Sequence, residues 1–370
     1  MTRFLKPLAC LAIALCLCGA ERSHGAESRI RTKLYFCRRA EAPPVIDGTL
    51  DDPCWTTAYP MTDFGFLRFG DQKGPAPLTT VRAVYDDEHL YLAFDCAEPD
   101  MARFHETVNR TEPVYARDCI ECYIDTQNDD KGYVCLMMNV RNESYAEARI
   151  DMGWLVVTDN SFNLWVRWKA RGAARADGWS IEARINWQDL KVRPAAGAVM
   201  GFNPCRWRFA SDVHQYLSWS TIGGYQKAPA DYGHMVLGDR PNDLAAILRA
   251  IYPGREGSVF EVPTGDGLTI LAGGRTTFAT YREILTERVG ALSDRLPASE
   301  APAGKTGEQQ ARLREQVEEL KRTIQAAETI SEGESLGFLK AIDAAHAALT
   351  DMEWQHKRDA LLTRFAEGID

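Results

Sequence analysis

Residues 43–55 read PPVIDGTLDDPCW, and the fold turns on whether this run of acids is chemistry or punctuation. The two prolines stop a following strand from extending into another sheet, so Val45 and Ile46 are expected to open an edge strand. Asp47-Gly48 suits a tight turn whose glycine accepts a positive φ. Asp51 is placed to cap a short helical turn over residues 52–58, with Pro53 tolerated where no N–H is needed. That turn drops Trp55 into a core, with Cys54 beside it. The aspartates are read as turn and cap residues rather than as a catalytic set.

Outward from there the chain continues in strands. VRAVYDDEHLYLAFDC (81–96) is a hairpin around an Asp-Asp-Glu-His turn. CIECYID (119–125), YVCLMMNV (133–140), YAEARI (145–150), FNLWVRWKA (162–170), GWSIEARINW (178–187) and VMGFNPCRWRFA (199–210) follow, most of them separated by Asn, Asp, Gly or Pro clusters. The pattern predicts an all-β, two-sheet antiparallel sandwich of jelly-roll type over residues 36–240. Residues 241–275 read as a linker with a small hairpin in VFEVPTGDGLTIL (259–271). From Thr276 the period is helical. Phe278, Tyr281, Leu285, Val289 and Leu292 make one stripe, Leu313, Val317, Leu320 and Ile324 a second, and Leu339, Ile342, Leu349 and Met352 a third. Residues 276–366 are therefore expected to form a helical hairpin, a coiled coil or a three-helix region, packed on itself or on a partner.

The chain has 370 residues, 45% of them hydrophobic and 10% aromatic, enough for one substantial core and a smaller element. A net charge of -9 and a pI near 5.4 argue against nucleic acid or an anionic membrane as partner, since both need concentrated positive charge. Residues 1–26 have the pattern of a signal peptide: Arg3 and Lys6, an apolar run from Leu8 to Leu17, then small residues at Ala20 and Ala26. Leu17 is too large to precede a lipidated Cys18. The run is short for a membrane span, so the mature chain is expected to be secreted, periplasmic or extracellular, with no integral membrane segment. Three of the ten cysteines fall in this leader. The other seven, all before residue 206, are read as buried thiols or as one to three disulfides. Cys119 and Cys122, three apart on a strand, point to opposite faces, which disfavours a shared metal.

Taken in order, VIDGTLDDPCW, VYDDEHLYLAFDC, RDCIECYID, GWSIEARINWQDL, GFNPCRWR, LSWST and DYGHMVLG resemble a family 9 carbohydrate-binding module, a DOMON-related β-sandwich. The resemblance covers about residues 40–238; the helical tail resembles no family. It implies a site that grips a sugar between two aromatic side chains, with carboxylate, amide and arginine groups on the hydroxyls. A pyranose has apolar C–H faces that lie on an aromatic ring and a rim of hydroxyls that need polar partners. Carried over residue by residue, the resemblance implies Tyr115 and Tyr225 as the aromatics and Glu121 as the carboxylate. Both aromatic positions often hold tryptophan in sugar-binding members, and the family's arginine falls on Met137, which has no donors. Arg206 or Arg208, on the following strand, is expected to supply them instead. Trp187 and Trp219 read as core; Trp165 and Trp168 face opposite sides of a strand, so one is a candidate exposed platform.

DTQNDDKGY (125–133) is rich in oxygen ligands, and Asp125, Asn128 and Asp130 are candidates for a structural calcium, with a solvated hairpin turn as the alternative. No cofactor is otherwise required. No pair of acids is singled out by spacing, and His89, His105, His214 and His234 are scattered without a metal motif. The leading expectation is non-catalytic binding of a saccharide or polysaccharide by an exported protein in polysaccharide recognition or catabolism. The tail would self-associate or dock to another protein. The alternatives are a structural or assembly protein whose sandwich has lost sugar binding and, less favoured, a hydrolase of glycosyl bonds.

Overall fold

The computed structural model describes residues 29–69, 72, 74–153, 155–159, 167–241, 243–264, 267–296, 305–330 and 332–366. The leader (1–26) and Trp165 lie outside the described residues. In chain order the elements are β1 (Arg29–Arg31), β2 (Leu34–Arg39), α1 (Pro53–Thr57), β3 (Gly65–Phe66), β4 (Thr79–Tyr85), β5 (His89–Ala97), α2 (Met101–Val108), β6 (Cys119–Asp125), β7 (Gly132–Met138), β8 (Ser144–Asp151), β9 (Val156–Asp159), β10 (Trp168–Arg175), β11 (Gly178–Asn186), α3 (Trp187–Leu190), β12 (Val199–Arg208), β13 (Gln215–Ser218) and β14 (Gly233–Leu237). The tail adds α4 (Leu244–Ile251), β15 (Val259–Thr264), β16 (Gly267–Ala272), β17 (Arg275–Thr280), α5 (Tyr281–Arg295), α6 (Lys305–Ala326) and α7 (Glu332–Ala366).

Thirteen strands hydrogen-bond into one sheet that folds over into two layers. The first layer runs β10-β11-β5-β4 and the second β14-β12-β6-β7-β8-β9, with β13 and β3 paired beyond one end of β12. β2 belongs to both: Leu34–Cys37 pair with β14 and Arg38–Arg39 with β4, in parallel each time. The other pairings of the two layers are antiparallel. Side chains that alternate inward fill the space between: Val81, Leu92, Phe94, Trp179 and Ile181 from one layer, Ile120, Ile124, Leu136, Phe202 and Met235 from the other. This is the β-sandwich expected from the sequence, followed by a helical region.

The opening stretch is anchored by a residue far along the chain. Gly48 takes φ +96°, and a Cβ there would meet the backbone of Gly172 at 3.0 Å. The carboxylate of Glu182, on β11, accepts the amides of Asp47 (3.1 Å) and Gly48 (2.9 Å) and the indole N–H of Trp55 (2.7 Å). Two expectations need correction. Val45 and Ile46 form no strand: the Val45 amide donates to Asp52 (3.1 Å), which bends the chain instead of extending it. The N-cap of α1 is Asp52 rather than Asp51, and that side chain, turned back to Val45, caps nothing in the helix.

All seven cysteines described are free and buried. Cys122 faces the core between the layers and Cys119 the other side of the sheet, as the pleat requires. Trp187 is buried at the head of α3 rather than in a strand, because Asn186 caps a helical turn there. Trp219 is buried too, and Trp168 is half-buried against the core. In the tail, β1 pairs in parallel with β15 to complete a four-stranded sheet with β16 and β17. The helix begins at Tyr281, not Thr276. Thr280 caps it reciprocally with Glu283, which leaves Phe278 exposed on β17 instead of in the stripe. The three stripes meet: Leu285, Val289 and Leu292 pack with Leu313, Val317 and Ile324 and with Ile342 and Leu349, over Leu268 of β16.

Candidate functional site

Strands β6, β7, β8 and β12 each send alternate side chains away from the core, onto the outer face of the second layer. Register places Met137 opposite both Tyr145 and Glu121, Cys135 opposite both Glu147 and Tyr123, Glu121 opposite Cys205, and Cys119 opposite Trp207. The segment 219–232, between β13 and β14, lies over this face. The Tyr232 ring packs on Tyr123 (6.1 Å between centroids), and its hydroxyl donates to the Gln226 carbonyl (2.8 Å). Lys227 Nζ reaches Glu147 Oε1 at 2.9 Å.

Tyr115 and Tyr225 stand at two sides of what remains open. Tyr115, in a single 3-10 turn of residues 114–116, is 46% exposed and meets Tyr145 edge-on (6.2 Å, 72°). Tyr225 is 49% exposed and meets Phe69 edge-on (5.6 Å, 80°); Phe69 in turn packs on Tyr216 (5.3 Å) and Trp207 (6.5 Å). Met137, Glu121 and Trp207 lie on the strands between. Glu121 is 1% exposed and accepts a bond from the Tyr123 hydroxyl (2.7 Å). Burial pushes its pKa up to about 7, against the downward pull of that bond and of the Lys227 ammonium. The buried indole N–H of Trp207 is directed at the Glu121 carboxylate and adds to that downward pull, while the buried side-chain carbonyl of Gln226 lacks a hydrogen-bond partner among the described residues. Orphaned polar atoms are rare in native interiors.

The sequence-expected set does not come together whole. Tyr115, Tyr225 and Glu121 share the outer face; Arg206 and Arg208 do not. Arg206 is opposite Ile120, one position out of step with Glu121, and in a pleat of period two that puts it on the core side. There Arg206 bonds Glu98 (3.0 Å) and Thr79 (3.2 Å), while Arg208 bonds Glu98 twice (2.7 and 2.8 Å) and Gln215 (3.0 Å). Both guanidinium groups are committed inside the sandwich. A cation that the outer face does hold is Lys227, which sequence reasoning missed; its place two residues after Tyr225, in the same loop, was the available signal. Burial lowers its ammonium pKa, but the bond to Glu147 and the charges around it raise it further, so it stays protonated.

Asp125, Asn128 and Asp130 lie in the β6–β7 turn. Asp125 accepts the amides of Gln127 (3.1 Å), Asp129 (3.0 Å) and Asp130 (2.9 Å), and Asn128 and Asp130 take positive φ. The Asn128 side-chain oxygen lies 2.8 Å from His234 Nδ1. Among the described residues no group of three or more His, Cys, Asp or Glu side chains is arranged to hold a metal ion.

Residues 46–240 match the model of the family described as carbohydrate family 9 binding domain-like. The chain belongs to that family. Of solved structures, a family 9 carbohydrate-binding module from Caldicellulosiruptor kristjanssonii in complex with cellotriose is 19% identical, with a TM-score of 0.43 over 57% of this chain and 97% of that one. A family 9 module from the same organism with glucose gives 19%, 0.43, 57% and 99%. A candidate carbohydrate-binding protein from Bacteroides uniformis gives 15%, 0.41, 57% and 100%. No curated protein matches the chain. The match spans the sandwich from Ile46 to the exit of β14 and leaves β2, α4–α7 and the four-stranded sheet outside it.

Proposed function

We propose that this family 9 domain binds a saccharide on the outer face of its second layer, without altering it, in an exported protein. Tyr115 and Tyr225 take the apolar faces of a sugar ring; Glu121 meets its hydroxyls. One observation carries the reading: the two tyrosines implied by the resemblance stay about half exposed on the same face, with the Glu121 carboxylate on the strands between them. The leader-like pattern of residues 1–26 supports export.

A glycan array probed with the full chain, followed by calorimetry on Tyr115→Ala and Tyr225→Ala, tests it. Each variant is expected to weaken binding about tenfold or more, in line with the loss of a stacked ring. Absence of binding to any plant, algal or bacterial polysaccharide overturns it. One observation favours the second reading, a sandwich turned to assembly: Met137, at the centre of the floor, offers no hydrogen-bond donor. That reading expects no sugar binding and a change of assembly state when α5–α7 are removed.

A further inference from the structure

Next to Tyr225, the outer face continues as a row of rings that the two-tyrosine site does not use. Phe69 leads to Tyr216 (5.3 Å); Tyr216 lies edge-on between Trp207 (4.6 Å, 80°) and Phe209 (6.1 Å, 90°); Phe209 packs on His214 (4.3 Å). Phe69 and Tyr216 are half-buried and His214 is exposed. Phe209 is buried and Trp207 half-buried beneath the row, so Phe69, Tyr216 and His214 form its surface, on the side of β12 away from the core.

The row is held in place. The Gln72 amide donates to the carbonyls of Leu67 (2.8 Å) and Phe69 (2.9 Å) and accepts the Tyr216 amide (2.5 Å). Backbone bonds from Leu67 to Tyr216 (2.8 Å) and from Arg68 to Gly224 (2.8 Å) tie the same loop to β13 and to the segment that carries Tyr225. Polar groups rim its far end. Partial desolvation and the nearby Arg110 and Arg103 guanidinium groups lower the pKa of the exposed His214, and Arg103 pairs with Asp212 (2.6 Å). An apolar ring surface with hydrogen-bonding groups at its margin is the chemistry of a pyranose site, repeated beside the first.

We propose that Phe69, Tyr216 and His214 form a second sugar subsite adjoining Tyr225, so that the protein grips a chain of linked sugars rather than one unit. The inference rests on the saccharide-binding reading above. Calorimetry of the full chain compares glucose with cellotriose, xylose with xylotriose and mannose with mannotriose. At least one trisaccharide is expected to bind about tenfold or more tighter than its monosaccharide. His214→Ala and Tyr216→Ala are expected to erase most of that gain while changing the monosaccharide Kd by less than about twofold. His214 is exposed, so its variant keeps the test valid if Tyr216→Ala fails to fold. Equal affinity for mono- and trisaccharide, or a gain that survives both substitutions, overturns the second subsite and leaves the first standing. Binding of none of the six sugars overturns both.

Discussion

Glu121 keeps its carboxyl beneath the surface, bonded to the Tyr123 hydroxyl, and loses its proton near pH 7. Below that pH it is a neutral acid under the outer face, above it an anion that accepts hydroxyl hydrogens more strongly. Sugar affinity is therefore expected to rise between about pH 6 and 8 and to flatten in Glu121→Gln, as calorimetry at three pH values checks. Stability has the opposite sign. The folded pKa lies above the unfolded value of 4.5, so the folded state holds the extra proton between the two. Stability falls as pH rises from about 4.5 to 7, by ~3 kcal/mol at most, and Glu121→Gln removes the slope in urea titrations. Glu98 is the contrasting case. It pairs with both Arg206 and Arg208 inside the sandwich, so Glu98→Ala leaves two buried cations unpaired. A loss of about 3–5 kcal/mol is expected by chemical denaturation, with sugar contacts untouched in any surviving fold.

At the scale of elements, the loop 45–55 depends on β11 more than on its own acids. Glu182→Ala removes the acceptor for three donors and is expected to cost roughly 3 kcal/mol or more, whereas Asp51→Ala stays within about 0.5 kcal/mol. A thermal melt of the two variants separates them. The same stretch shows what was legible. Asp-Gly gave away its turn and Trp55 its burial, because φ > 0 and apolar bulk are local properties. The true anchor, Glu182, lies more than a hundred residues away and looked like any alternating strand acid. The strands around β6, β7 and β12 were readable from their alternation and turn residues. Short or mixed elements were not: β17, RTTFAT, carries a period that fits helix as well as strand, and α4 has apolar residues on nearly every side. In the site, Tyr115, Tyr225 and Glu121 were reachable through the resemblance, but the face of Arg206 depends on a register of one residue. Lys227 depends on how a loop crosses four strands, which no local pattern records.

For the whole molecule, the junction between sandwich and tail rests on buried charge. Lys33, next to β2, meets Glu332 at the start of α7 (2.5 Å), with Arg31 on the same carboxylate (3.1 Å). Burial lowers the Lys33 pKa while Glu332 raises it, so removing the acid leaves a desolvated amine. Glu332→Ala is expected to loosen the tail first, seen as earlier proteolytic cleavage within residues 297–340 while the sandwich stays protected. His234 gives the molecule an acid-side weakness. Burial holds its pKa down to about 4, between Asn128 of the β6–β7 turn and Tyr252 just after α4. Its contribution is present above the ordinary histidine value of 6.5 and is lost as pH falls toward 4, by ~3 kcal/mol. His234→Gln is expected to flatten that limb of the pH–stability curve.

β2 lies between β14 and β4 and closes both layers at once. During synthesis, then, the first strand of the sandwich waits for its last. A chain growing from the ribosome can form the β4–β5 and β6–β7 hairpins early, but it has no closed sandwich until residues 234–237 have emerged. Until that moment Leu34–Cys37 present an open edge, and the seven thiols remain reachable by oxidant or by one another. Late closure makes the pairing of β2 with β14 the last condition for a closed sandwich, however strong the contacts formed before it.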